Sequence, residues 1–438
     1  MKIEAFDIRF DSEDAVFSAG QNITGTVILK LSKPTRILNI SIKFEGRAKS
    51  SWEVSGGDSK KHYRAYETYI DENVVLYNAE GDEEVKHPAG FHIYPFSVAL
   101  PASIPSSFEG RRGYIRYQCM AFLDRGWKGV LDCDMDFTVI RHLDLNTIHN
   151  VAEPCLSTKE EIYEGCCCDS GVVVSKFSLR KTGFVPGEPM MFEISVENKS
   201  TSSLCGLCIQ LVQTVRYTGY SDSVFSSGNP KFHDKVNVWV LYEIEDEIEA
   251  SKTYTLHNYA LIPAVAPSLL EGCGIISTMY QVTLRIPVGW STTDLSAEVT
   301  IGTVPLREFD HLSNIGPPQR ISMLDPPPSY EECVFGHMTV QSGESIDNED
   351  EEEADPLRQR RRELRRMPSY PYYNMVSSSS NGQQTPQSPA APPTTSQPSS
   401  APPSPPSSPP PSPPPSPPPS PPPSSQPPPP SYDSLGHT

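Results

Sequence analysis

Hydrophobic and polar residues alternate along most of the first 300 or so positions of the chain. The stretches Ile40–Glu45 (ISIKFE) and Phe192–Glu197 (FEISVE) show the pattern clearly. A period of two predicts β-strands with one buried and one solvated face. Turn signals such as SAGQ, SGGD, VPGEP and SSGNP separate the strands. No long segment has helical periodicity, so the sequence predicts an all-β fold.

One strand–turn–strand pattern occurs twice in the chain. FDIRFDSEDAVFSAGQNITGTVILKLS turns around Gly20, and KFSLRKTGFVPGEPMMFEISVENKS turns around Gly187. The two glycines are 187 − 20 = 167 residues apart, which fits one sandwich domain plus a connector. The repeat predicts two β-sandwich domains in tandem, at 1–150 and 171–307, joined by a linker at 151–170.

The composition changes after residue 307. An acidic block (EDEEEAD) is followed by a basic block (RQRRRELRR), and beyond these the chain is mostly Ser, Pro, Gln, Thr and Ala. Such segments bury too little apolar surface to offset the entropy of ordering. We therefore expect a disordered proline-rich tail over residues 308–438, with polyproline II character in its SPPPSPPP repeats.

Charge and hydropathy exclude several classes of protein. The net charge of −18 over 438 residues argues against a nucleic-acid binder, which would need a basic domain. No run approaches 18 consecutive apolar residues, and the start MKIEAFDIRF does not resemble a signal peptide. We therefore expect a cytosolic chain whose ten cysteines remain thiols.

The sequence contains no recognisable catalytic or metal-binding motif, and we therefore predict neither an enzyme nor a cofactor. GxGxxG after a strand, the P-loop, HExxH and GxSxG are all missing from the sequence. The adjacent cysteines Cys166, Cys167 and Cys168 cannot all face one ion, and Cys205 and Cys208 form a single CxxC. We interpret these residues as small apolar side chains, with zinc binding and palmitoylation as alternatives.

Two proline words in the tail match PPxY and predict binding to WW domains. Proline fixes φ near its polyproline II value, so less backbone freedom is lost on binding. The paired rings fit between the aromatic side chains of a WW domain, and the tyrosine reaches a neighbouring slot. A third word, PSYPYY at Pro368–Tyr373, lacks the second proline and is not expected to bind. The predicted WW-binding residues are Pro327, Pro328, Tyr330, Pro429, Pro430 and Tyr432.

Two tail patterns keep other interpretations open. YDSL at Tyr432–Leu435 also fits a tyrosine-based sorting signal, in which tyrosine and leucine fill two pockets of a clathrin adaptor. The arginine cluster at Arg358–Arg366 fits a solvated charge run, with contact to acidic lipid or nuclear import as alternatives.

Several long motifs resemble those of arrestin domains. The stretch His87–Lys128, with PFSVALP, PSSFEG and GYIRYQC in order, resembles the N-terminal arrestin domain. Lys181–Ser200 and Leu269–Val288 resemble the C-terminal arrestin domain. IGTVPL followed by PPPSYEECVFG resembles the α-arrestin (arrestin-domain-containing) branch. The resemblance covers about residues 1–335 and implies two arrestin-type (immunoglobulin-like) β-sandwiches joined by a hinge.

The resemblance also implies a function. Family members are cytosolic adaptors that recruit WW-containing HECT-type ubiquitin ligases to membrane-protein cargo such as receptors or transporters. The cargo is then ubiquitinated and internalised or sorted. This implies a cytoplasmic protein that is recruited to the plasma membrane and endosomes, with peripheral membrane association possible. The alternative is an endosomal sorting scaffold, similar to retromer proteins, that acts without a ligase.

Basic residues in the first predicted domain are candidates for contacts with acidic or phosphorylated cargo tails. On a sandwich such residues are also typical of ordinary outward-facing strand positions, and both interpretations stay open. The candidates are Lys43, Arg47, Lys49, Lys60, Lys61 and Arg64.

Overall fold

The computed structural model describes residues 2–56, 59–79, 86–164, 170–221, 228–307 and 366–373. These residues form strands joined by turns and by two short 3-10 turns, Gly126–Lys128 and Leu145–Thr147. The first eleven strands are β1 (Ile3–Phe10), β2 (Val16–Ser18), β3 (Asn22–Leu31), β4 (Thr35–Arg36), β5 (Asn39–Gly56), β6 (Ser59–Asn78), β7 (Lys86–His87), β8 (Gly90–Ala99), β9 (Phe108–Gly110), β10 (Gly113–Asp124) and β11 (Val130–Ile140). The remaining nine are β12 (Cys155–Glu164), β13 (Ser170–Leu179), β14 (Gly183–Phe184), β15 (Pro189–Asn198), β16 (Leu207–Ser221), β17 (Lys231–Ile244), β18 (Lys252–Leu261), β19 (Ile276–Val288) and β20 (Ser291–Ile301).

The first sandwich packs the sheet β1-β3-β8 against the sheet β6-β5-β10-β11-β2. The alternating apolar residues of both sheets point inward, as the sequence predicts, and form one core. Phe44 of β5 packs edge-to-face against Phe96 of β8, with ring centroids 5.6 Å apart. The core also includes fully buried Val27, Ile42 and Ala121 from three different strands.

The second sandwich repeats this architecture. The sheet β12-β13-β15-β18 faces the sheet formed by β14, β20, β19, β16 and β17. Phe177 and Ile194 from one sheet, and Leu211 and Val282 from the other, are buried in the second core. The predicted all-β architecture of two tandem β-sandwiches is therefore confirmed.

The two turns of the sequence repeat have the same structure. Gly20 and Gly187 both have φ +85°, a conformation that favours glycine. In the first turn the Ser18 amide donates to the Gln21 side chain (2.8 Å), and in the second the Val185 amide donates to the Glu188 carboxylate (3.0 Å). The short strand before each turn pairs in parallel with the last strand of its own sandwich, β2 with β11 and β14 with β20.

The two sandwiches share one continuous sheet. The end of β16 in the second sandwich pairs with β6 of the first, at Tyr220–Arg64 and Ser221–Tyr63. Trp52 covers this junction: its ring stacks on Tyr63 and on His233, with centroid distances of 5.6 and 5.5 Å. The sandwiches therefore lie within one compact unit and are not separated by a free hinge.

The linker region differs from the sequence prediction. Within the predicted linker at 151–170, residues Cys155–Glu164 form the edge strand β12, which pairs with β13 over ten positions. The usual signal for a strand is weak here because Leu156 and Ile162 face solvent, whereas Tyr163 is buried in the second core. Backbone hydrogen bonding to β13, and not hydrophobic alternation, accounts for this strand.

Candidate functional site

The predicted WW-binding residues, from Pro327 to Tyr330 and from Pro429 to Tyr432, lie outside the described residues. The structure therefore reports on the other candidates, which are the basic residues of the first sandwich. All six are carried by the long hairpin β5–β6, three on each strand: Lys43, Arg47 and Lys49 on β5, and Lys60, Lys61 and Arg64 on β6.

Lys43 is already engaged by carboxylates of its own sheet. Its ammonium lies 2.6 Å from Glu45 and 3.0 Å from Asp71, which is on the adjacent strand. Hydrogen bonds to these carboxylates raise the pKa of Lys43. Partial burial acts to raise the pKa of Glu45, but hydrogen bonds from Lys43 and Gln118 lower it overall. Lys43 is therefore less available to an external acidic ligand than the sequence suggests.

The other hairpin residues differ in how exposed they are. Lys60 lies 3.3 Å from Glu53, and the Lys49 ammonium lies 5.6 Å from the centre of the Tyr66 ring. Arg47 and Lys61 are exposed on the outward face. Lys60 is exposed too, but its ammonium is paired with Glu53, so Arg47 and Lys61 are the candidates for contact with an acidic ligand.

Arg64 lies at the junction between the sandwiches. Its backbone pairs with Tyr220 of β16, next to the stacked rings of Trp52 and Tyr63. Burial lowers the pKa of His233, which also stacks on Trp52. The structure therefore places Arg64 where it shapes the contact between sandwiches, apart from the open surface around Arg47.

The first sandwich also contains a buried ion pair that the sequence did not single out. Arg116 of β10 makes two hydrogen bonds to Glu109 of β9, at 2.6 and 2.9 Å. The Glu109 side chain is 6% exposed, and the guanidinium lies 3.7 Å from the centre of the Tyr114 ring. Burial acts against the charge of Arg116, but the bonds to Glu109 raise its pKa overall. A bidentate pair of this kind fixes the relative position of β9 and β10.

Cysteine chemistry adds little to the described part of the chain. Cys208 is half-buried, and burial raises the pKa of its thiol, whereas Cys205 is exposed. Cys166, Cys167 and Cys168 lie outside the described residues. Among the residues that the structure covers, His, Cys, Asp and Glu nowhere form a group of three placed to hold a metal ion. Nor does this part of the chain contain a helix with the length and apolar character of a membrane span.

A third proline word has a position that the sequence did not predict. Residues Arg366–Tyr373, called here the 366–373 segment, lie against the sandwiches, and Tyr370 belongs to the core of the first one. The only sequence signal was its set of aromatic residues within a polar tail. As a WW ligand it lacks the second proline.

Two models of known protein families match the chain, one over each sandwich. The family model of the arrestin (or S-antigen) N-terminal domain matches residues 6–146, and the model of the arrestin (or S-antigen) C-terminal domain matches residues 169–306. Together the two models cover more than half of the chain.

Individual relatives show the same likeness. Arrestin domain-containing protein 17 of Caenorhabditis elegans is 29% identical over 370 residues, covering 79% of this chain and 84% of the relative. Arrestin domain-containing protein 1 of Mus musculus is 25% identical over 315 residues, covering 70% of this chain and 67% of the relative. Arrestin domain-containing protein 4 of the same species is 28% identical over 320 residues, covering 70% and 74% respectively.

Proposed function

The chain belongs to the arrestin family, in its arrestin-domain-containing (α-arrestin) branch, and on this premise we propose that it is a cytoplasmic adaptor without enzymatic activity. Its tail recruits WW-domain HECT-type ubiquitin ligases through the PPxY words, and its sandwiches hold membrane-protein cargo. The bound ligase ubiquitinates the cargo, which promotes endocytosis and sorting at the plasma membrane and endosomes.

One observation supports the ligase part of this proposal above others: the repeated PPxY word beyond the double β body. The first copy, Pro327-Pro328-Ser329-Tyr330, forms an isolated proline cluster close after the last strand. The second copy, Pro429-Pro430-Ser431-Tyr432, lies in the proline-rich part of the tail. Pre-extended proline pairs lose little entropy on binding, which favours capture of a WW domain.

Affinity purification from cells tests this function directly. The full chain and its Tyr330→Ala/Tyr432→Ala variant are captured, and the bound proteins are identified by mass spectrometry. We expect recovery of HECT-type ligases to fall at least about tenfold in the variant, because alanine leaves the tyrosine slot of the WW domain empty. Membrane proteins bound through the sandwiches should remain. Equal recovery of ligases by both proteins contradicts the proposal and favours a sorting scaffold without a ligase.

The cargo part of the proposal rests on the exposed charges of the β5–β6 hairpin. Changing Arg47 and Lys61 to glutamate should weaken binding of an acidic phosphopeptide about fivefold, since each exposed ion pair contributes up to about 1 kcal/mol. Fluorescence anisotropy at low and high salt measures the effect, which salt should diminish. Lys159→Glu/Lys199→Glu makes the same charge change at exposed positions of the second sandwich and serves as the control. Equal weakening by both variants argues against a site on the hairpin.

A further inference from the structure

The 366–373 segment contacts both sandwiches at once. It is eight residues long and is separated from the end of β20 by more than sixty residues of sequence. Its Pro368 and Tyr370 are buried, while Ser369 between them is exposed. The sandwiches therefore bury the proline and the tyrosine of this segment, and the serine between them stays in solvent.

Tyr370 provides the anchor on the first sandwich. Its ring is 9% exposed and packs into the first core together with Met367. Its hydroxyl donates to the backbone carbonyl of Ser107 (2.6 Å), and the Ser369 amide donates to the Thr138 hydroxyl (3.3 Å). A buried tyrosine whose hydroxyl has a partner gives apolar contact and a directed hydrogen bond together.

The same end of the segment carries a positive charge beside acidic groups. Burial raises the pKa of Glu109, while the positive charges of Arg116 and Arg366 act in the opposite direction and favour its carboxylate form. Arg366 also lines a cavity of about 120 Å³ together with Arg116 and Asp136. The arginine thus adds a positive charge beside the place where Tyr370 packs.

Tyr373 provides the anchor on the second sandwich. Its amide donates to the Pro186 carbonyl (2.9 Å), and its hydroxyl donates to the Thr303 carbonyl (2.6 Å). Its ring packs on a small cluster formed by Leu145, Val151, Val185 and Leu306, and burial raises the pKa of its hydroxyl. The backbone of Tyr373 approaches so close to Gly187 that a Cβ at this glycine would overlap the Tyr373 carbonyl oxygen.

We propose that the 366–373 segment is an intramolecular ligand that fastens the two sandwiches to one another through its two tyrosine anchors. Each anchor uses a hydroxyl that donates to a backbone carbonyl, one in each sandwich. Because the segment is short and continuous, docking of one tyrosine holds the other near its own site, so the anchors cooperate as a bivalent ligand.

The docked segment also divides the tail into two parts. The effect of this division on a bound ligase rests on the proposed adaptor function. Between Arg307 and Arg366 there are 365 − 307 = 58 residues, and they include the PPxY word of Tyr330. Both ends of this stretch are held on the body, whereas the word of Tyr432 lies beyond the segment. A ligase bound at Tyr330 is therefore kept close to the sandwiches that carry the cargo.

Hydrogen exchange of the full chain, with no ligase present, tests the fastening itself. In Tyr370→Phe, which changes only the anchor on the first sandwich, exchange of the Tyr373 amide on the second should accelerate about three- to tenfold. Tyr94→Phe removes a hydroxyl hydrogen bond with His87 within the first sandwich and should leave the Tyr373 amide unchanged. Unchanged exchange at Tyr373 in Tyr370→Phe overturns the proposal, because the anchors would then be independent.

A matched pair of glycine variants provides the second arm. Gly20→Ala and Gly187→Ala introduce the same backbone strain, since both residues have φ +85°. Only Gly187→Ala overlaps the segment; at Gly20 the new Cβ would lie 3.4 Å from the Ala102 side chain, an ordinary contact. We expect exchange across residues 366–373 to accelerate at least tenfold in Gly187→Ala alone. Similar exchange rates of the segment in both variants overturn the proposal. If Gly187→Ala does not fold, the exchange of the Tyr373 amide in Tyr370→Phe decides between the two outcomes.

Discussion

Lys181→Met is expected to lower the free energy of unfolding of the second sandwich by about 3–5 kcal/mol, because it leaves a buried carboxylate without its ammonium partner. Lys181 and Glu188 form an ion pair in which both side chains are 4% exposed. Methionine is unbranched and apolar and so fills the space of the lysine stem. The expected loss of stability therefore comes from the unpaired buried charge of Glu188, and a cavity contributes little to it.

Two further variants separate this cause from general damage. Lys199→Met removes an exposed pair of the same sandwich, with Glu197 at 3.0 Å, and should cost at most about 1 kcal/mol. Lys181→Met/Glu188→Gln removes both charges but keeps an acceptor for the Val185 amide, and should recover most of the lost stability. Hydrogen exchange of the core amides of β19 measures all three. If the double variant is as unstable as Lys181→Met, loss of pairing is not the cause.

The same ion pair connects stability to the docked tail. The Glu188 carboxylate holds the Val185 amide, and the next two residues, Pro186 and Gly187, receive Tyr373. Gln21 makes the equivalent bond in the first sandwich without a charged partner. The repeated turn is thus reinforced by a buried charge pair in the sandwich where it serves as a docking site.

Most of the strands were predictable from sequence because each of them carries its own alternation of apolar and polar residues. Alternation in Ile40–Glu45 and Phe192–Glu197 depends only on which face of a strand is buried. The repeated turn was predictable too, because Gly20 and Gly187 have the same positive φ. By contrast, β12 exposes Leu156 and Ile162, and the pairing of β6 with β16 joins residues from different sandwiches, so no clear local pattern encodes either.

The candidate site was less predictable for a similar reason. The sequence identifies Lys43 and Arg64 as basic, but not that Asp71 of the neighbouring strand pairs with Lys43, or that Arg64 lies at the junction. The contact between Tyr370 and Ser107 joins residues 263 positions apart. A short aromatic segment in a polar tail indicates a binding site for a partner. Whether that partner is another protein or the body of the same chain depends on the tertiary structure.

Removing both PPxY tyrosines, with Tyr330→Ala/Tyr432→Ala, should have the largest effect on binding of any change considered. The tyrosines are separated by 365 − 330 = 35 residues before the docked segment and 431 − 373 = 58 residues after it, and two flexible arms of these lengths together span roughly 55 Å. That span gives an effective concentration in the millimolar range for a second WW domain on the same ligase. Either single variant should therefore lose about 10²-fold in affinity for a fragment with two WW domains, and the double variant should lose all measurable binding.

Titration against two ligase fragments distinguishes bivalent from independent binding. A fragment with one WW domain gains at most about twofold from a second PPxY word, so each single variant should bind it almost as well as the unchanged chain. Ser329→Ala/Ser431→Ala changes only the variable position of each PPxY word and should leave either affinity unchanged. If the two-domain fragment binds a single variant as tightly as the unchanged chain, the two words do not act together. In that case one PPxY word alone, and not the spacing between the two, determines capture of the ligase.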